Sequence, residues 1–563
     1  MRRALVSRLW LLLPALFALA WFWPVLGHGF RSDDFEMVYY LDRDSEAVRW
    51  GRVWEEWLRP WFGVRDLYRP VVSLAIGVNW ACGTSAFGFH LLNVGLLCGT
   101  ATCVAAMAAR LAPARGALVG ATAGILVVLH PAAVEPTAWI MARTTGLQVL
   151  FSALGYWSFV RWRDGEGTLA LPLLATALAC CSKEGAVLLP FSLLALDLVR
   201  GGVPNWRHHV PFFLLVATYL GWRRMLLGCF TTLKEDAGGE QFSGAWQLLG
   251  QLFWPPVEGG AWTLGVVLPL LIIAVGLIAA AGGRARVLWC LPWMFGLLTP
   301  GTTHLGAAAS SLAGRFVFDA VPAVAVFVAL AFAAFATRPR LVLVSALGVA
   351  SVAVGFGVVS RAWIERYDAD SRLIDTVQKE LIANAQAAAP DRPFGVFGLP
   401  GQPLLHPPLW GFLTQRPFAE RDLPVIGLSN ILMRNPDTVD LFGDASVVHS
   451  LIAHGAGVGV WDDEARRLRP VPRAASGIID FVQDPNDRRC FLPPRLLPPT
   501  AVAQLEIRSP TPVEKWRIEI LGNLEGDYAT RSMEVVAGDG AAVTWCDTTH
   551  VLPWLIASQF GGG

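Results

Sequence analysis

Residues 129–145 read Leu129-His130-Pro131-Ala132-Ala133-Val134-Glu135-Pro136-Thr137-Ala138-Trp139-Ile140-Met141-Ala142-Arg143-Thr144-Thr145. Apolar runs flank this stretch, near 116–131 and 145–160. A helix that crosses a bilayer needs about 20 apolar residues at about 1.5 Å each. The stretch therefore reads as the turn between two membrane helices. Pro131 and Pro136 break the helix and let the backbone re-enter the membrane boundary. Three ionisable groups lie inside it: His130, Glu135 and Arg143. Such groups are costly beside the hydrocarbon and are functional candidates by default. A Glu135–Arg143 salt bridge that holds the turn is the structural alternative.

Outward from this turn, further apolar runs fall near 9–27, 86–109, 168–182, 184–199, 209–228, 262–281, 286–301, 315–336 and 341–360. With the two flanking runs they predict an all-α polytopic membrane domain of about eleven spans. Composition agrees. The 563 residues are 54% hydrophobic and 16% charged, with a mean hydropathy of +0.47, whereas soluble domains carry about 25% charge. A net charge of +1 gives no general pull toward nucleic acid. The lipid bilayer is the partner that composition implies.

Arginine sets the predicted orientation. Arg2, Arg3 and Arg8 precede the first span. If that end is cytoplasmic, the other inside turns hold Arg110 and Arg115, Arg161 and Arg163, Arg200 and Arg207, Arg284 and Arg286, and Arg338 and Arg340. The first span lacks a small-residue cleavage site and reads as an anchor. Residues 1–360 form the expected membrane domain. Residues 361–390 read as an amphipathic connecting helix, with Ile364, Leu373, Ile374, Val377 and Leu381 apolar among charges. Residues 391–563 are rich in Pro and Gly. They carry strand-like runs at Phe394–Phe397, Val447–Ile452, Gly457–Trp461 and Trp516–Leu521. An α+β or mostly β periplasmic domain is expected there. Cys490 and Cys546 fall in it and could pair if it lies outside the cytoplasm. No CxxC or Cys/His zinc spacing occurs.

On this topology several charged residues share the non-cytoplasmic side. Asp33–Asp34 follows the first span, and two adjacent carboxylates repel unless a metal, a cation or a proton relieves them. The structural alternative is a solvated loop start, with Ser32 or Asp33 as a helix cap. Arg69, in Tyr68-Arg69-Pro70, either snorkels or contacts a phosphate. His90 and Asn93 lie one helical turn apart and also suit helix–helix hydrogen bonding. Lys183, in Ser182-Lys183-Glu184-Gly185, is the sole lysine of the apolar spans and the tight links between them. It either pairs with Glu184 or meets an anion. Arg315 stands at the outer end of a late span, where it snorkels or binds. Cations can hold a phosphate, and a carboxylate can take a proton from an attacking hydroxyl.

The order of these motifs resembles the GT-C superfamily of integral-membrane glycosyltransferases: an acidic pair after the first span, YRP, FHLLN, HPxxxEPxAWIxxR, SKEGxxLLP and Arg-Phe-x-Phe. It is nearest to bacterial relatives of the transmembrane O-mannosyltransferases. The resemblance covers about residues 1–360, and the C-terminal part shows no 34-residue repeat. It implies a sugar donor on a polyprenyl phosphate, chemistry on the periplasmic face of a bacterial inner membrane, and a glycan, lipid or protein acceptor. It makes Asp34 or Asp33 the catalytic carboxylate, with Glu135 a second acid of the site. Arg143, Lys183, Arg315 and Arg69 become candidates for the donor phosphate, with His130 and His90 nearby. Asp34 and Glu135 could also hold a divalent Mg or Mn. The alternatives are a non-catalytic lipid- or glycan-binding assembly partner of the same fold, and a transporter. Against the latter, the charges cluster at one face rather than at the midplane.

Overall fold

The structure is a computed structural model. It describes residues 9–230 apart from 44–45, 62–66, 84 and 200–204, residues 314–387 apart from 337–338, and, beyond 393, the segment 412–423 and the strands between 394 and 559. The apolar runs near 262–281 and 286–301 lie outside the described residues. The chain divides into two compact units, Met1–Phe30 with Asp44–Ser371, and Arg31–Arg43 with Arg372–Gly563.

The first unit is helical. Its elements are α1 (Leu12–Trp21), then α3 (Glu46–Glu55), α4 (Pro70–Ala81), α5 (Ala86–Leu111), α6 (Gly116–Leu129), α7 (Val134–Ala138) and α8 (Arg143–Arg163). They continue with α9 (Ala170–Cys180), α10 (Leu189–Val199), α11 (Trp206–Leu227), α12 (Val321–Phe335) and the first part of α13 (Val342–Ala387); α2 (Asp33–Arg43) belongs to the other unit. Among the described residues, four helical stretches are long and apolar enough to cross a membrane: Ala86–Leu111, Trp206–Leu227, Gly314–Phe335 and Val342–Ala387. The chain is an integral membrane protein on this ground. The bent pair Pro113–Leu129 and Pro131–Ala138 adds a fifth if taken as one broken span, with a 64° turn at the break. This is the helix break expected at His130-Pro131, since proline removes a backbone donor and clashes with the preceding turn.

Glycine lets the central helices approach. A Cβ on Gly120 would stand 2.5 Å from the carbonyl of Ala105 and 2.7 Å from the ring of Trp10. A Cβ on Gly124 would stand 2.7 Å from Pro14 and 2.9 Å from the carbonyl of Ala101. α6 thus packs against α5 and α1 through a small-xxx-small stripe, the pattern that closes helices inside a bilayer. Phe22, Phe89, Tyr156, Phe159 and Phe212 fill the core. Most of α12 is buried, whereas Leu343, Val344, Val354 and Val358 of α13 face outward, as a lipid-facing surface does.

The arginine-bearing helix ends meet one another. Arg110 at the end of α5 bonds Asp164 at 3.4 Å and Glu166 at 2.5 Å, just past α8. Arg115 donates to the carbonyl of Ala336 after α12 at 2.8 Å. Arg163 reaches Asp197 of α10 at 3.0 Å and His208 of α11 at 2.7 Å.

α13 is one helix of 46 residues. It runs through position 360, so the last apolar run and the amphipathic stretch after it form a single element. The second unit holds the remainder of α13, the helix α2 and, among the described residues, eleven strands. β1 (Phe394–Phe397) lies between β2 (Val425–Gly427) and β3 (Gly457–Asp462), both parallel to it, and β4 (Arg467–Pro470) joins β3 antiparallel. Five antiparallel strands form a second sheet in the order β5 (Val482–Gln483), β6 (Arg489–Phe491), β11 (Trp554–Gln559), β8 (Lys515–Leu524) and β9 (Asp527–Val536). A two-stranded ladder pairs β7 (Val502–Ile507) with β10 (Ala541–Cys546). The expected strand at Val447–Ile452 lies outside the described residues, as do the side chains of Cys490 and Cys546. α2 is fixed within this unit by ring contacts, Phe35 edge-on to Phe418 at 4.8 Å and Tyr39 tilted against Phe412 at 4.7 Å.

Candidate functional site

The first unit gathers charges where α7 ends, α8 begins, the α9–α10 link turns and the chain enters α12. Glu135, on the short α7, is buried. Its Oε2 accepts the backbone N–H of Arg315 at 2.7 Å, and its Oε1 lies 3.9 Å from the Arg315 guanidinium. A Cβ on Gly314 would sit 3.2 Å from that carboxylate, so glycine leaves room for the approach. The guanidinium stands over two rings, Trp139 at 4.7 Å and Phe316 at 4.9 Å. Trp139 is placed by Asn93, whose amide donates to the Trp139 carbonyl at 3.1 Å.

Lys183 enters from the α9–α10 link. Its ammonium donates to Thr145 Oγ1 at 2.9 Å and to the carbonyl of Arg315 at 3.0 Å, and lies 3.7 Å from Asp319 Oδ2. Its neighbour Glu184 takes both contacts of Arg69, at 3.0 and 3.3 Å. The two are adjacent because the start of α4 lies against the end of α9, with Val71 N–H on the Cys181 carbonyl at 3.2 Å. The Arg69 guanidinium covers the ring of Trp61 at 5.1 Å. Lys183 and Glu184 are neighbours in sequence, yet each meets a distant opposite charge. At an effective dielectric near 20, a pair about 4 Å apart is worth roughly 4 kcal/mol before desolvation.

The other expected residues serve elsewhere. Arg143 is fully buried. Its guanidinium donates to Asn79 Oδ1 and to the Phe89 carbonyl, both at 3.1 Å, and to the Ile140 carbonyl at 3.3 Å. His130 caps the turn after the break, its Nδ1 accepting the Ala132 N–H at 3.1 Å, and packs edge-on against Phe356 at 4.6 Å. His90 meets the carbonyl of Gly29 at 3.3 Å through Nε2.

Asp33 and Asp34 fall in the second unit, at the start of α2. Asp34 is buried, and its Oδ2 accepts the Arg31 N–H at 3.0 Å. Ser32 Oγ donates to Asp33 Oδ1 at 3.0 Å. Ser32 has φ +47°, a left-handed conformation that costs a side-chain-bearing residue roughly 1–2 kcal/mol. Backbone strain of this kind collects at functional sites. One turn of helix further on, burial and then the charge of Asp33 raise Glu36 to about 7.

No family model matches the chain. Over 128 residues the chain is 30% identical to the protein O-mannosyl-transferase Tmtc1 of Drosophila melanogaster, a match to 22% of this chain and 15% of that protein. The matched stretch is thus a small part of that relative's length. Crystal structures of ArnT from Cupriavidus metallidurans, bound to undecaprenyl phosphate and in the apo state, are also similar. Their TM-scores are 0.46 and 0.45, at 15% and 16% identity, covering 81% and 82% of this chain and 94% of theirs.

Sequence reasoning did not select Asp319, Glu184, Thr145 or Asn79. Asp319 had a usable signal, since it lies one helical turn past Arg315 in an apolar run. Thr145 had none, because a threonine at a helix start is ordinary. Among the described residues, no three His, Cys, Asp or Glu are grouped to hold a metal. Glu135 faces an amide and a guanidinium, a cationic setting that suits a carboxylate's charge and does not suit a divalent ion beside it.

Proposed function

We propose that this protein is a glycosyltransferase that moves a sugar from a polyprenyl-phosphate-linked donor to an acceptor hydroxyl. The acceptor would belong to a glycan, lipid or protein, and the reaction would take place on the periplasmic face of the inner membrane. The observation that carries the reading is the cluster of Arg315, Lys183 and Arg69, gathered with their carboxylates at the broken helix of an apolar bundle. A lipid phosphate is the anion that such a place can receive. The motif order and the 128-residue likeness to an O-mannosyl-transferase support the same class.

Asp34, with Asp33 as the alternative, is the base in this proposal. The acceptor oxygen attacks the anomeric carbon and its proton passes to the carboxylate. The bond from that carbon to the phosphate oxygen breaks, and the pair of electrons stays on the departing polyprenyl phosphate. Direct displacement inverts the anomeric centre. The phosphate is a stable leaving group, so the protein need only stabilise its growing charge, which preplaced cations do. Arg143 acts in this scheme by holding Asn79 and the α5 backbone. No step is routed through Mg or Mn at Asp34 and Glu135, for the reason given above.

Radiolabelled undecaprenyl-phosphate mannose supplied to membranes containing the protein tests this. Transfer of label is expected with the unaltered chain and a loss of about 100-fold or more with Asp34→Asn or Asp33→Asn, the scale of general-base contributions. Full activity in both variants removes the proposed base. Normal lipid binding with no transfer by any form favours a non-catalytic binding protein.

A further inference from the structure

The main chain of Arg315 is held at both of its polar ends. Glu135 Oε2 takes its N–H at 2.7 Å. Lys183 Nζ and Thr145 Oγ1 both donate to its carbonyl, at 3.0 and 3.1 Å. These three side chains come from α7, α8 and the α9–α10 link.

Lys183 is aimed by what surrounds it. An ammonium has three N–H donors, and three acceptors face it: Thr145 Oγ1, the Arg315 carbonyl and Asp319 Oδ2. The Thr145 hydroxyl accepts from Lys183 and donates to the Arg315 carbonyl, so it is used both as acceptor and as donor. Asp319 is buried, its side chain 4% exposed, and that of Lys183 is 12% exposed. The carboxylate supplies the opposite charge that a buried ammonium requires. A Cβ on Gly185 would come within 3.3 Å of Asp319 Oδ2 and 3.0 Å of Gln148 Nε2, so a side chain there would press on both. Lys183 is thus spent on the protein. The guanidinium of Arg315 is different. Its side chain is 29% exposed, the most open of the three cations, and among the described residues it faces two rings and the edge of one carboxylate.

We propose that Asp319 and Thr145 are positioning residues for anion binding. They lock Lys183 beneath the Arg315 carbonyl while Glu135 fixes the amide, and this clamp presents the Arg315 guanidinium, between Trp139 and Phe316, to a phosphate monoester. The ligand rests on the function proposed above; the clamp does not. Arg315 then contacts the phosphate, and Lys183 and Glu135 act through it.

Two measurements on the purified full-length protein separate these points. The first is hydrogen exchange in peptides covering 314–319, with α5 peptides as the control for folding. Thr145→Val and Asp319→Asn should speed exchange there about tenfold and leave α5 unchanged. Thr145→Ser, which keeps the hydroxyl, should behave as the unaltered protein does, and Arg315→Gln should keep the slow exchange. The second is binding of undecaprenyl phosphate by native mass spectrometry. Arg315→Gln should weaken it at least tenfold, Thr145→Val and Asp319→Asn several-fold, and Thr145→Ser should restore it. Unchanged exchange in Thr145→Val and Asp319→Asn overturns the clamp. Faster exchange with unaltered affinity for undecaprenyl phosphate overturns its role in binding. No binding by the unaltered protein overturns the function proposed above and this ligand assignment, while slow exchange lost in the variants still upholds the clamp.

Discussion

A methyl group added at Gly314 would meet the Glu135 carboxylate at 3.2 Å and the Ala132 carbonyl at 3.3 Å. Gly314→Ala should therefore push the Arg315 amide off Glu135. Transfer activity is expected to fall at least tenfold while the melting temperature in detergent moves little, because only one local contact is displaced. Glu36 makes a different prediction. Its folded-state value is raised to about 7, chiefly by burial. A raised carboxyl stabilises the fold below the unfolded value of 4.5, and that stability is lost as pH climbs through 7. Glu36→Gln should flatten the fall in melting temperature between pH 6 and pH 8. An equally steep fall in the variant would show that another group titrates there. Single residues were legible in the sequence when they were ionisable and flanked by apolar runs, as Glu135, Lys183 and Arg315 are. Their partners were not, since a contact such as Lys183 with Asp319 joins positions that no local pattern connects.

Helices show the same division. The run Gly116–Leu129 ends at His130-Pro131 because a proline cannot continue it, and that end was plain in the sequence. α4 was harder to see. Its apolar stretch has 12 residues, too few to read as a span, and its role is to bring Arg69 to Glu184. The continuity of α13 past position 360 was also hidden, because the change from apolar to amphipathic pattern looks like a boundary while helical spacing persists across it. The small-residue stripe of α6 carries a direct test. Gly120→Val or Gly124→Val would force α6 away from α5 and α1. Little folded protein should be recovered from membranes, since overpacking typically costs 1–3 kcal/mol and here the opposing atoms include backbone. Asn93→Leu should cost about 1–3 kcal/mol by leaving the Trp139 carbonyl without its donor, seen as a lower melting temperature in detergent.

For the molecule as a whole, the shift from apolar runs to Pro- and Gly-rich strands marked a helical part and a strand-bearing part. The grouping of the acidic helix α2 with the strand-bearing unit could not be read, because it depends on Phe35 and Tyr39 meeting rings hundreds of positions away. The three cations of the candidate site are each matched by a carboxylate: Arg69 by Glu184, Lys183 by Asp319 and Arg315 by Glu135. The whole chain carries only +1. Matched charges cast little field beyond a Debye length of about 8 Å at physiological salt. A lipid phosphate would then receive no pull from afar. Its association rate with the purified protein should change less than about twofold between low and high salt, where steered binding slows steeply; a steep decline would reveal an unmatched positive field. Encounter would be governed by lateral diffusion within one leaflet, and the abundance of the carrier there, rather than attraction, would set how often the site is filled.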